Sequence, residues 1–137
     1  MKKVIATVDA PKAVGPYSQA IEVNGTLYIS GQIPVNPADG QIQDEITAAA
    51  HQSLKNIGAI LKEAGMDYDN VVKTTVLLAD IADFKAVNEV YAEYFTGDKP
   101  ARACYQAAAL PLGVKVEIEA IAVPMMMLSS LEPWSIM

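Results

Sequence analysis

The sequence predicts an α+β domain in which one mixed sheet carries two helices on a single face. Three observations lead there. Two stretches, 46–64 and 83–95, repeat apolar residues at three- and four-residue spacing. Residues 71–78 form an apolar, β-branched run too short for a typical helix. The dipeptide Asn24-Gly25 separates two short strand-like runs and readily takes the positive φ angles of a tight hairpin turn.

The elements follow in order. Residues 4–7 are a short β-prone run, and Pro11 with Val14-Gly15-Pro16-Tyr17 then imposes a loop, because neither proline can donate a ladder hydrogen bond. Residues 20–23 and 27–30 form the arms of the hairpin. The segment 33–40, with Pro34, Pro37 and Gly40, is turn-rich and cannot be a central strand. In 46–64 the residues Ile46, Ala49, Ala50, Leu54, Ile57, Ile60, Leu61 and Ala64 define one buried helical stripe, which Gly65 ends. The run 71–78 is too apolar for an exposed strand and belongs in the middle of the sheet. A second helix over 83–95 places Phe84, Val87, Val90, Tyr91 and Tyr94 on one face, with Asp83 at the positive end of its dipole. Residues 101–108 and 114–123, joined through Leu110-Pro111-Leu112-Gly113, read as a closing hairpin.

Length fits one domain over 1–124, followed by an atypical C-terminal segment, 125–137. The chain is 52% hydrophobic and 19% charged, against about 25% charged in ordinary soluble domains. That surplus of apolar surface, with no run long enough to span a membrane, points to a subunit interface. The start of the chain turns polar before a signal-peptide core can form, so a cytoplasmic protein is expected. One cysteine, Cys104, excludes an internal disulfide, and with the lone His51 it leaves no expected metal site. A net charge of −6 disfavours broad nucleic-acid binding, which depends on clustered Lys and Arg. Neither a membrane nor a nucleic acid is an expected partner.

Alternation along the closing segments puts Arg102, Cys104 and Gln106 on one face of the first strand and Glu117 and Glu119 on one face of the second. In a hairpin turning near Pro111 and Leu112, these faces come to the same side of the sheet. An arginine there could anchor a small organic acid through two parallel hydrogen bonds, and a glutamate could activate water at that acid's second carbon.

These segments, Pro100-Ala101-Arg102-Ala103-Cys104, Leu110-Pro111 and Val116-Glu117-Ile118-Glu119-Ala120-Ile121-Ala122, closely resemble the C-terminal signature of the RidA/YjgF family. The resemblance extends along most of the chain, through Gly15-Pro16-Tyr17-Ser18-Gln19, Ser30-Gly31-Gln32-Ile33-Pro34, Gln52-Ser53-Leu54, Val72-Lys73-Thr74-Thr75-Val76 and Val87-Asn88. It implies a chorismate-mutase-like fold and a homotrimer with clefts between subunits. It also implies hydrolysis of the reactive imines of 2-aminoacrylate and 2-aminocrotonate to 2-keto acids and ammonia, with no cofactor. By the same resemblance Arg102 binds the substrate carboxylate, Glu117 serves the catalytic water, and Tyr17, Ser30, Gly31, Asn88 and Cys104 line the pocket. The family also carries the names endoribonuclease L-PSP and translation inhibitor, and a non-catalytic keto-acid sensor would use the same arginine. Gln106 and Ala109 depart from the family pattern, which has an acidic residue and an arginine there in many members. Residues 125–137 run past the usual family end.

Plainer roles stand beside these. Taken alone, Arg102 is a salt-bridge partner for Glu117 or Glu119, Cys104 a small buried hydrophobe, and Tyr17 a plug beneath its loop. His51 reads as a solvated or capping residue, Glu119 as a structural pair or interface group, and Ser30 and Asn88 as partners for backbone ends.

Overall fold

A computed structural model describes residues 1–125. Six strands and two helices follow one another as β1 (Lys2–Ile5), β2 (Ala20–Val23), β3 (Thr26–Gln32), α1 (Ile46–Glu63), β4 (Val71–Leu78), α2 (Phe84–Tyr94), β5 (Ala101–Gln106) and β6 (Val116–Ala122). The expected element order and the mixed sheet are both present. Asn24 and Gly25 take φ of 50° and 84°, the turn conformation read from their chemistry. The segment expected to be atypical, 125–137, lies outside the described residues beyond Met125. No helix among the described residues is long and apolar enough to cross a membrane.

The sheet order is β1-β2-β3-β6-β4-β5, which corrects the expected closing hairpin: β5 and β6 do not pair. Strand β4 lies between them, parallel to β5 and antiparallel to β6. Burial explains the choice. Val76 and Leu78 of β4 and Val116 and Ile118 of β6 are fully buried side by side, and sealing a side chain of this kind from water contributes roughly 1.5–3 kcal/mol. Strand β5, carrying Arg102, Tyr105 and Gln106, has too little apolar side chain for that position and takes the edge. A parallel β4–β5 pair requires a long crossover, and α2 supplies it.

Helix α1 seals one face of the sheet with Leu54, Ile57, Ile60 and Leu61, all inaccessible. It starts at Glu45, whose carboxylate accepts from the amides of Thr47 and Ala48. The second helix is entered through one tight turn, Ile81–Asp83, capped by the Asp80 side chain rather than by Asp83. His51, expected to be solvated or capping, instead joins the helices: its Nδ1 lies 2.7 Å from Tyr94 Oη and its Nε2 3.9 Å from Glu93.

Two buried amides hold the long loops. Gln19 accepts from the Thr7 amide at 2.7 Å and donates to the carbonyls of Thr7, Ala10 and Pro11, shaping the loop that presents Tyr17. Asn56 of α1 donates to the carbonyls of Ile33 and Val35 at 3.1 and 3.0 Å, tying down the turn-rich segment.

Gly58 is required by contact rather than by a turn. A Cβ there would stand 2.1 Å from the Tyr68 hydroxyl, which donates to the Leu54 carbonyl at 2.7 Å. Gly58→Ala must expel that hydroxyl from its place, and we expect a loss of about 1–3 kcal/mol despite alanine's better helix propensity. Thermal denaturation measures it; a more stable variant would show that the contact relaxes freely.

Candidate active site

Arg102 stands on the edge strand, and its Cα partner on β4 is Thr74. Laterally paired residues share a face, and Thr74 faces α2, where its hydroxyl meets that of Tyr91 at 2.7 Å. Arg102 therefore lies on the helix side. Its Nη1 donates to Asn88 Oδ1 at 2.7 Å, and its guanidinium carbon lies 4.9 Å from the Tyr91 ring centre and 5.5 Å from that of Phe84. No carboxylate among the described residues comes within ion-pairing distance of it. The salt bridge to Glu117 or Glu119 is thus not formed, and the guanidinium keeps donors free at an exposed edge. Such a fork suits a planar carboxylate.

Cys104 follows two residues later on the same face, half-buried beside this group. Burial pushes its thiol up, and the nearby Arg102 charge only opposes that shift. A protonated thiol is a wall, not a nucleophile. Gln106, the next residue on this face, accepts from the Ile81 amide at 2.9 Å and anchors the entry to α2.

Glu117 faces the other way. Its Cα partner on β4 is Leu77 and that of Glu119 is Thr75. Positions 74 and 77 of one strand differ by an odd number, so Arg102 and Glu117 stand on opposite faces of the sheet. This corrects the expectation of one cluster, which rested on the absent hairpin. On the open face Glu117 lies over Gly31: a Cβ at Gly31 would meet its Oε2 at 2.1 Å and its Cδ at 2.8 Å. Burial, and secondarily the charge of Glu119, raises the Glu117 carboxyl above the ordinary glutamate range. Gly31→Ala must displace this carboxylate from its seat. If Glu117 is the water-activating group that the family resemblance implies, a fall in turnover of at least about tenfold with the fold retained is expected, since small displacements of such a group have large effects; steady-state kinetics beside circular dichroism checks it.

The remaining predicted residues divide between the two faces. Asn88 joins Arg102. Ser30, whose hydroxyl donates to the Ser18 carbonyl at 2.6 Å, lines a cleft of about 380 Å³ on the open face with Tyr28, Lys73, Thr75 and Glu119. Tyr17, 52% exposed, lines an apolar cleft of about 310 Å³ with Gly31, Ile33 and Leu112. Reading the sequence missed the aromatic seat of Arg102. The signal was present: Phe84, Asn88 and Tyr91 are spaced four and three residues apart and so share one helix face, but Phe84 and Tyr91 read as core. Among the described residues no group of three or more His, Cys, Asp or Glu side chains is placed to hold a metal ion.

The chain as a whole resembles known proteins closely. The family model described as Endoribonuclease L-PSP matches residues 7–124. A mouse protein named 2-iminobutanoate/2-iminopropanoate deaminase is 60% identical over 124 residues, 90% of this chain and 92% of its own length. The crystal structure of the YjgF gene product from E. coli superposes with a TM-score of 0.86 at 47% identity, covering 88% of this chain and 98% of that one. E. coli TdcF with bound serine does so with a TM-score of 0.87 at 43% identity, covering 89% and 98%. With a family model matched over residues 7–124 and relatives this similar along most of its length, the chain belongs to the endoribonuclease L-PSP family, the RidA/YjgF proteins.

Proposed function

We propose that this protein is a 2-iminobutanoate/2-iminopropanoate deaminase that works as a homotrimer, with each site built between two copies. The observation that carries the reading is the exposed Arg102 guanidinium, held by Asn88 and without a carboxylate partner among the described residues. The names of the relatives and the bound serine of E. coli TdcF, itself a small amino acid, support it. One copy cannot complete the site. Arg102 and Glu117 are separated by the sheet itself, so a three- or four-carbon acid held by one cannot reach the other. The bare face carries Ile21, Tyr28, Leu77 and Ile121 with no helix over them, and an uncovered apolar face of this kind calls for a second layer. A neighbouring copy supplies that layer and brings its Glu117, over its Gly31, to the edge where Arg102 waits.

In this site Arg102 takes the imino acid's carboxylate in its fork, with Asn88 fixing the guanidinium and Tyr17, Ser30 and Cys104 enclosing the rest. Glu117 accepts a proton from water as the oxygen bonds to the carbon bearing nitrogen. The same carboxyl then returns the proton to the nitrogen of the tetrahedral adduct. The adduct's hydroxyl passes its proton to the freed Glu117 carboxylate as the C–N bond breaks, ammonia leaves, and the carbonyl of the keto acid forms. Positioned proton transfer of this kind contributes about 10²–10⁴-fold, and no cofactor enters the balance.

The test uses purified protein with 2-aminoacrylate generated in place by a pyridoxal-phosphate dehydratase, following ammonia release. Acceleration over the uncatalysed rate is the expected result. Calorimetric binding of 2-oxobutanoate without any acceleration would replace this reading with a keto-acid sensor. Light scattering reads the trimer.

A further inference from the structure

We infer that Tyr91, locked by Thr74, is a positioning residue that seats the Arg102 guanidinium and thereby sets affinity for the substrate's carboxylate. The inference rests on the deaminase reading for its substrate but stands on its own geometry. An arginine on an exposed strand edge has many rotamers available, most of them useless for a bidentate grip. Here three residues of one α2 face restrict it: Phe84 and Tyr91 hold the guanidinium against their rings at 5.5 and 4.9 Å, and Asn88 accepts from Nη1 at 2.7 Å. Both ring distances are within the roughly 6 Å over which a cation is attracted to an aromatic face.

Tyr91 differs from Phe84 in how it is held. It is 7% exposed, and its hydroxyl lies 2.7 Å from Thr74 Oγ1, itself 1% exposed. Thr74 is also the Cα partner of Arg102 across the β4–β5 pair. A closed circuit results: the backbone that carries Arg102 pairs with the backbone that carries Thr74, Thr74 fixes the Tyr91 ring, and the ring receives the Arg102 side chain. On its other edge Thr74 pairs with Ala120 of β6, so the circuit is anchored in the centre of the sheet. Burial keeps the Tyr91 phenol protonated despite the adjacent guanidinium. The attraction is therefore that of a cation for a neutral ring, not of an ion pair, and it leaves the remaining N–H donors of Arg102 uncommitted.

The experiment compares wild type with Tyr91→Leu, Tyr91→Phe, Thr74→Val and Thr74→Ser, by imine-hydrolysis kinetics and by calorimetry with 2-oxobutanoate. Tyr91→Leu is expected to raise both KM and the 2-oxobutanoate Kd about tenfold with kcat within about twofold, the pattern of lost binding shared by ground and transition states. Tyr91→Phe and Thr74→Val each break the lock and keep the ring, so each should raise Kd about threefold, and the double change should be no worse than either alone. Thr74→Ser, which retains the hydroxyl, should restore the wild-type value. If Tyr91→Leu does not fold, the Tyr91→Phe, Thr74→Val and double-variant comparison decides. Wild-type Kd across the series overturns the inference, as does additivity of the two lock-breaking changes or a wild type that does not bind 2-oxobutanoate. A wild type that binds 2-oxobutanoate but hydrolyses no imine overturns the deaminase reading alone, and the Kd series still decides the role of Tyr91.

Discussion

Replacing Arg102 with alanine will lower kcat/KM for imine hydrolysis by roughly 10²–10³-fold, the equivalent of losing two charge-assisted hydrogen bonds to a carboxylate. The fold should not suffer. Arg102 is exposed and makes one side-chain hydrogen bond, to Asn88, so the melting temperature is expected to stay within a few degrees of wild type. Arg102→Lys keeps the charge and discards the planar fork, and should recover only part of the loss. Saturation kinetics and a melting curve for each variant suffice, and an Arg102→Ala protein with undiminished kcat/KM would remove the anchor from the proposal.

Glu117→Gln should be as damaging through a different term. Glutamine is nearly isosteric over Gly31 but can neither take nor return a proton, so kcat should fall about 10²–10⁴-fold. Stability should move in the other direction. The folded state raises the Glu117 carboxyl above its unfolded value, chiefly by burial, so the ionised form is the one the fold disfavours. Stability is therefore lost as pH rises from the ordinary glutamate range through the raised folded value, and an uncharged glutamine in its place escapes that loss at neutral pH. A variant that melts higher and turns over far less separates catalysis from folding. The pH profile follows from the same sign. Activity needs the carboxylate, so kcat should decline as pH falls through the raised value, above where an ordinary glutamate would place the acid limb. Glu119→Gln removes the like charge and should shift that limb to lower pH. A limb that does not move would show that Glu119 is not felt at Glu117.

Much of the fold could be read from periodicity. The α1 stripe from Ile46 to Leu61, the Asn24-Gly25 turn and the central place of β4 each follow from local pattern, because one face of each element is buried and the other is not. The closing segments misled because adjacency in sequence suggests a hairpin, and the register of β4 against both β5 and β6 is decided by burial across the whole sheet. That single topological error carried Arg102 and Glu117 to one face. Their proposed roles rest on the family resemblance, which does not depend on strand pairing. The aromatic seat escaped notice because the spacing of Phe84 and Tyr91 reads as one core stripe, whereas only Tyr91 is buried and Phe84 is 39% exposed at the edge where Arg102 lies.

The placement of Arg102 and Glu117 on opposite sides of one sheet has a genetic consequence in the proposed trimer. Each copy lends its arginine to one cleft and its glutamate to another, so a chain damaged in either half still serves a neighbour with the half that remains. Two defective alleles, one lacking each group, would complement in mixed assemblies, and a single bad copy would dilute the output of its partners without silencing them.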